Sequence, residues 1–198
     1  MKQFSEKTLQ NLKKYEILLQ KWQKHINLVS TQTLSEAWKR HFEDSAQLWE
    51  HIPEGAETLL DLGSGAGFPG LVLAIMAAEE RPSLTVHLVE SDARKCVFMA
   101  EVARACGVSV QIHEERIEQL SPFKADVITA RALKDVTALL SYCRPFVMQE
   151  TTALFLKGKK AKEEWKTAQN DVSAQAVFIP SKTDKCGFIL KLTQIKYQ

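Results

Sequence analysis

No segment of the 198-residue chain comes near the roughly 18 consecutive apolar residues that a membrane-spanning helix requires. The opening stretch, MKQFSEKTLQNLKKYE, is polar and helix-like and has no signal-peptide core. A soluble protein, made and kept in the cytoplasm, is therefore expected. Cysteine is sparse: Cys96, Cys106, Cys143 and Cys186 stand far apart and form no CxxC, which argues against both a zinc site and a disulfide scaffold. His25, His41, His51, His87 and His113 share no ligand spacing, so no metal is expected. Internal repeats, low-complexity tracts and interdomain linkers are also missing. At 45% hydrophobic and 25% charged residues, the chain suits one core with a small appendage.

Net charge is small as well, +2 overall, but it is unevenly spread. Residues 1–50 carry 8 Lys/Arg against 6 Asp/Glu, residues 51–150 carry 9 against 14, and residues 151–198 carry 9 against 4. Basic ends around an acidic centre offer a cationic rim to a polyanion if both ends fold beside one site. Lysines that only keep the surface solvated give the same count.

Only 8 glycines occur, and Gly63, Gly65, Gly67 and Gly70 fall within one stretch, TLLDLGSGAGFPG from Thr58 to Gly70. It reads as a buried strand, a tight turn and, from Pro69 onward, a helix carrying Leu71, Val72, Leu73, Ile75 and Met76. Ahead of it, Leu9, Leu12, Leu19, Trp22 and Ile26 have helical spacing. Thr33-Leu34-Ser35-Glu36 has the form of a capping box for a second helix through Trp38, Phe42 and Trp49. Residues 1–52 thus predict a helical cap on a core at 57–198, the whole forming a single domain. After the glycine turn, strands are expected at 84–89, 108–113, 125–130, 152–156, 176–179 and 188–195. Helices are expected at 92–106, 135–142 and 159–169. This is an α/β pattern: a mainly parallel, doubly wound, Rossmann-like sheet. The last two strands leave no room for a crossover helix, which predicts an antiparallel hairpin at that edge.

In such a sheet, ligands sit beyond the carboxyl ends of the strands near the switch point. Those ends hold Asp61 and the turn glycines Gly63, Gly65 and Gly67, then Glu90, the stretch 112–118, and Thr129-Ala130-Arg131. Glu90, 27 residues after Gly63, can accept both hydroxyls of a ribose. Asp61 just before the turn would repel a pyrophosphate but suits the amino group and sulfonium of S-adenosylmethionine. A carboxylate that caps the turn's own N–H groups is the alternative reading of Asp61. Arg131 is either a cleft residue or a surface arginine that begins a loop.

LLDLGSGAGFPG, LVESDARKCVFM, EERIE, DVITARAL and LFLKG, in this order, together with NLVSTQTLSEAWKRHFEDS, resemble the small-subunit ribosomal RNA methyltransferase G family, also called glucose-inhibited division protein B. The resemblance covers nearly the whole chain. It implies a class I methyltransferase that moves the methyl of S-adenosylmethionine to N7 of a guanine in the 530 loop of 16S ribosomal RNA. By motif, it implies cofactor-binding roles for Gly63, Phe68, Ile117, Glu118 and Arg131. Glu90 stands where the family often has aspartate, and Ala46 follows Asp44-Ser45 where the family commonly has leucine.

Guanine N7 has an in-plane lone pair and no proton, so its attack on a sulfonium methyl needs no general base. Arg131 is the expected catalytic residue, holding the cofactor carboxylate, a phosphate or the guanine O6 edge. Lys39, Arg40, His41, Lys157, Lys159 and Lys160, with Lys162 beside them, are the expected phosphate contacts, and Phe68 is a candidate to stack on the target base. The expected partner is 16S rRNA or the small subunit, approached by a monomer. A non-catalytic RNA-binding assembly factor, or a nucleotide-cofactor oxidoreductase, would share the fold.

Overall fold

The computed structural model describes residues 4–30 and 36–198, so most of the expected capping box lies outside the described residues. Strands β1 (Thr58–Leu62), β2 (Thr85–Glu90), β3 (Gln111–Glu114), β4 (Val127–Arg131), β5 (Thr152–Lys157), β6 (Val172–Pro180) and β7 (Phe188–Tyr197) form one sheet in the order β3-β2-β1-β4-β5-β7-β6. The first five are mutually parallel, and β7 runs antiparallel to both β5 and β6. The expected edge hairpin is present, and it is the final strand that lies inside, with β6 on the outer edge. β6 is longer than its apolar run suggested. Along an edge strand the inward residues alternate with polar ones, and Val172, Ala174 and Ala176 extend the pattern through Ser173 and Gln175.

Period-two alternation splits the strands between two faces. Leu59, Leu88, Val127 and Leu154 join one apolar cluster, whereas Leu60, Val89, Ile128 and Phe155 join the other. The first face is covered by α2 (Gly70–Glu80), α3 (Ala93–Cys106) and the N-terminal helices; the second by α4 (Val136–Cys143) and α5 (Ala161–Ala168). α3 starts at Asp92, whose side chain accepts from Arg94 N–H, and stops at Gly107 in the left-handed conformation. α4 starts at Asp135, whose carboxylate accepts from Ala138 N–H at 2.9 Å.

The cap is α1 (Glu6–Gln23) followed by a broken helix, π-helical over Trp38–Glu43, α-helical over Asp44–Ala46 and 3₁₀ over Gln47–His51. The sequence pattern predicted one regular helix here. A π turn instead brings both His41 and Phe42 inward, and both are buried. Tyr15, Phe42 and Leu12 belong to the same cluster as Leu59 and Phe68 of the core. Polar ties reinforce the seam: Thr8 Oγ1 donates to Glu79 (2.9 Å), Trp22 Nε1 to Glu101 (2.9 Å) and Trp49 Nε1 to Glu80 (2.9 Å).

Tyr15 is fully buried, and its hydroxyl donates to the Ala66 carbonyl inside the glycine turn. Tyr15→Ala removes a packed ring and is expected to cost about 3–5 kcal/mol. Tyr15→Phe, which leaves only that carbonyl unpaired, should cost about 1–3 kcal/mol. Urea denaturation checks both; equal stability of Tyr15→Ala and wild type would mean that the cap does not brace the core.

Candidate active site

The chain reverses its direction of strand addition between β1 and β4, and a cleft opens at their carboxyl ends. Its volume is about 500 Å³. The glycine turn makes one wall. Gly63, Gly65 and Gly67 have φ of 64°, 59° and 91°, a region that side chains adopt at a cost. Space is short as well: a Cβ on Gly63 would stand 2.6 Å from Leu133 Cδ1, and one on Gly67 2.7 Å from the Tyr15 hydroxyl. Gly65 differs, because a Cβ there would meet nothing closer than 3.9 Å, leaving its backbone open to the cleft. The Phe68–Pro69 bond is cis.

Glu90 caps the turn from the tip of β2. Its Oε2 accepts from Gly65 N–H and its Oε1 from Asp92 N–H, both at 2.9 Å. Across the cleft, Ile117 and Glu118 fall in a short 3₁₀ turn after β3, beside Tyr142 of α4. A backbone N–H, and then the nearby Tyr142 hydroxyl, pull the Glu118 carboxyl below the usual range.

Asp61 and Gly67 are not brought to the cleft surface. The Asp61 carboxylate is fully buried: Oδ1 accepts from Thr129 Oγ1 (2.7 Å) and Oδ2 from Gly70 N–H (3.2 Å). It therefore braces strand, turn and helix from beneath, the arrangement of a carboxylate that caps its own turn. Burial raises its pKa from 3.8 to about 6, opposed by those same hydrogen bonds.

Phe68 is enclosed by the protein's own rings. Tyr15 stacks on it at 5.1 Å, His41 at 5.1 Å, and Phe42 meets it edge-on at 5.2 Å, leaving 3% of its surface exposed. Stacking of this ring on a target base is thereby blocked. What Phe68 supports is Arg131, whose guanidinium carbon lies 5.2 Å from the ring centroid. Nη1 of Arg131 also donates to the Arg40 carbonyl (3.0 Å) and to His41 Nδ1 (2.8 Å). Because arginine has only donors, His41 must accept through Nδ1 and is neutral. Burial, then the charges of Arg131 and Arg40, push its pKa down to about 3. His41 is thus a buried holder of Arg131, below the basic rim on which the sequence pattern placed it.

Arg131 and Ala132 line the cleft and also a second hollow of about 630 Å³, on the side toward β5 and the β6–β7 loop. Arg40, Lys157, Lys159 and Lys160 line this hollow. Lys159 and Lys160 are exposed, as is Lys39. Lys157 is instead enclosed, its ammonium 2.7 Å from Glu164 and donating to the Lys134 carbonyl, while Lys162 lies over the Phe178 and Phe188 rings. Sequence reasoning missed Asp44, whose Oδ2 stands 3.7 Å from Arg131 Nη1. The available signal was its position three residues after His41, which puts both on one helical face.

A switch-point cleft with a glycine turn on one side and a carboxylate at the second strand tip suits a nucleoside cofactor, and the order β3-β2-β1-β4-β5-β7-β6 with β7 antiparallel is that of the class I methyltransferase fold. A solved SAM-dependent methyltransferase from Aquifex aeolicus shares the fold, with a TM-score of 0.61 at 15% identity, over 79% of this chain and 92% of that one. The family model described as rRNA small subunit methyltransferase G matches residues 8–189. Curated proteins named ribosomal RNA small subunit methyltransferase G are similar throughout. That of Rhodospirillum centenum is 47% identical over 96% of this chain and 86% of its own, and that of Parvibaculum lavamentivorans 48% identical over 95% and 84%. The chain belongs to the rRNA small subunit methyltransferase G family.

Because the fold holds Asp61 preferentially protonated, its contribution to stability is present below about pH 4 and is lost as pH rises through about 6. His41, with its depressed value, acts oppositely and loses its contribution as pH falls below about 6.5. Asp61→Asn removes the first effect alone, so its melting temperature relative to wild type should rise between pH 4 and pH 7. A constant difference in thermal denaturation across that range would contradict the assignment.

Proposed function

We propose that this methyltransferase modifies N7 of a guanine in the 530 loop of 16S ribosomal RNA, with Arg131 at the boundary between cofactor and target. The observation that carries the reading is the placement of Arg131, at the tip of β4 on the wall shared by cleft and hollow, in a chain of this family. S-adenosylmethionine, when bound, supplies an electrophilic methyl group. The cleft fits that cofactor in size and chemistry: about 500 Å³ is in the range of small-molecule sites, and the Glu90 carboxylate and Gly65 backbone stand where a nucleoside needs acceptors and close approach.

In this reading Glu90 accepts from the ribose hydroxyls, Gly63 and Gly65 let the ligand approach the backbone, and Ile117 and Glu118 border the adenine. Asp61, Gly67 and Phe68 act from beneath by fixing the turn and Arg131. N7 brings its own lone pair, so the protein's task is orientation and charge stabilisation rather than proton removal. Lys39, Arg40, Lys159 and Lys160 supply phosphate contacts. Cap and sheet work as one domain, and the protein acts as a monomer in the cytoplasm, where small subunits are assembled.

Methyl transfer from labelled S-adenosylmethionine to small subunits that lack the modification, mapped by strand scission at N7-methylguanine, should show one guanine in the 530 loop; label elsewhere would refute the substrate. Arg131→Lys keeps the charge but loses the planar fork, and should lower kcat/KM about 100-fold or more. In an RNA-binding titration, Lys159→Ala combined with Lys160→Ala should reduce the slope of log K against log salt by about 0.7–0.9 for each phosphate no longer neutralised. An unchanged slope would remove both lysines from the interface.

A further inference from the structure

The second hollow has no assigned occupant, and its wall carries an unused set of polar groups. Arginine offers five N–H donors. Nη1 of Arg131 spends its two on the Arg40 carbonyl and His41 Nδ1, while Nε and Nη2 make no hydrogen bond among the described residues. Asp44 lies beside it with one oxygen fixed and one spare. Its Oδ1 accepts from Thr183 Oγ1 (2.5 Å) and Gln47 Nε2 (2.8 Å), whereas among the described residues Oδ2 has only the Arg131 Nη1 at 3.7 Å, beyond hydrogen-bond range. The Asp44 side chain is 17% exposed, and that opening faces the hollow. Its carboxyl is raised above the usual aspartate value, chiefly by burial, so Thr183 and Arg131 do not fully compensate its charge.

A donor fork next to a spare carboxylate oxygen is complementary to one base edge. Guanine presents O6, an acceptor, directly beside the N1–H and N2–H donors, and O6 also flanks N7. Adenine presents the reverse, an amino donor where O6 would be and a bare N1 lone pair toward the carboxylate. Leu156 and Phe188 give the hollow apolar walls, and Lys159 and Lys160 stand at its exposed rim, where phosphates flanking an extruded nucleotide would lie.

We propose that the second hollow receives the target guanine, with Asp44 accepting from N1–H and N2–H while Arg131 donates to O6, so that N7 is turned toward the cofactor cleft. Asp44 is then the residue that selects guanine over other purines. This rests on the guanine-N7 reading above and deepens it. The order of the parts favours that pose: Arg131 belongs to both hollows, and the O6 it would hold is adjacent to the reacting nitrogen.

The test uses the full chain and a fragment of the small-subunit loop with guanine, inosine or 2-aminopurine at the target position, all of which retain N7. Binding is read by fluorescence anisotropy with S-adenosylhomocysteine present, and transfer by kcat/KM. Inosine keeps O6 and N1–H and should stay within about tenfold of guanine; 2-aminopurine lacks both and should fall about 100-fold or more. In Asp44→Asn, guanine kcat/KM should fall at least about 100-fold and the gap between guanine and 2-aminopurine should close. Binding of S-adenosylhomocysteine by calorimetry should stay close to wild type. A purely structural role for Asp44, bracing the Thr183 loop, would slow all three bases alike and preserve the gap, which overturns the proposal. So would a wild-type enzyme that binds the three equally, a result that does not depend on the variant folding. If wild type transfers no methyl to any of them yet still binds guanine over 2-aminopurine, the proposed reaction fails and the guanine pocket stands.

Discussion

The packing of Phe68 against Tyr15, His41 and Phe42 is the contact on which the rest of the site depends. It joins three parts of the chain that are distant in sequence: the first cap helix, the π turn of the second, and the end of the glycine turn. Burying aromatic rings in mutual contact is worth more than their area alone, and it fixes the angle at which the cap sits. Once the cap is seated, its polar groups become tools. His41 and the Arg40 carbonyl hold one end of Arg131, and Phe68 supports the face of its guanidinium.

This arrangement shows how a common fold acquires a particular site. The sheet and its switch point supply a cleft that any nucleoside cofactor could use, and a fold of this kind says little about the acceptor. The second hollow is built from added pieces: the cap, the stretch after β5 and the loop between β6 and β7. Asp44 ties two of these together, reaching Thr183 and Ser181 across the hollow, while Gln47 accepts from Lys182 N–H at 3.0 Å. Arg131 stands where the general part and the added part meet.

Electrostatics in the centre arise from the same packing. Asp61 and His41 are titratable groups with little access to water, and burial drives each toward its neutral form. Arg131 remains the cation between them, stabilised by Asp44 and by the ring beneath it. A fixed charge at the mouth of a low-dielectric wall interacts more strongly with a ligand than a solvated lysine does. The exposed lysines of the rim suit a different task, attraction of a polyanion from a distance.

Much of this was legible in the order of residues. Short apolar runs alternating with helical spacing gave the sheet its class, and strand tips could be read off directly, so Glu90, Ile117, Glu118 and Arg131 were correctly placed at one end of it. Local turn chemistry placed the glycines. The π turn was not legible, because a single added residue per turn leaves the apolar pattern nearly unchanged while it rotates the rest of the helix. Nor could sequence tell that Asp61 faces inward, that Phe68 is covered on the protein's own account, or that Lys157 is paired with Glu164. Each of these depends on which side of an element a distant segment packs. His41 and Arg131 lie 90 positions apart and Asp44 and Thr183 lie 139 apart. Sequence determines local conformation through backbone preference and periodicity, whereas contacts across such separations form only when the whole core closes, and that closure decided which groups face the ligand and which hold them in place.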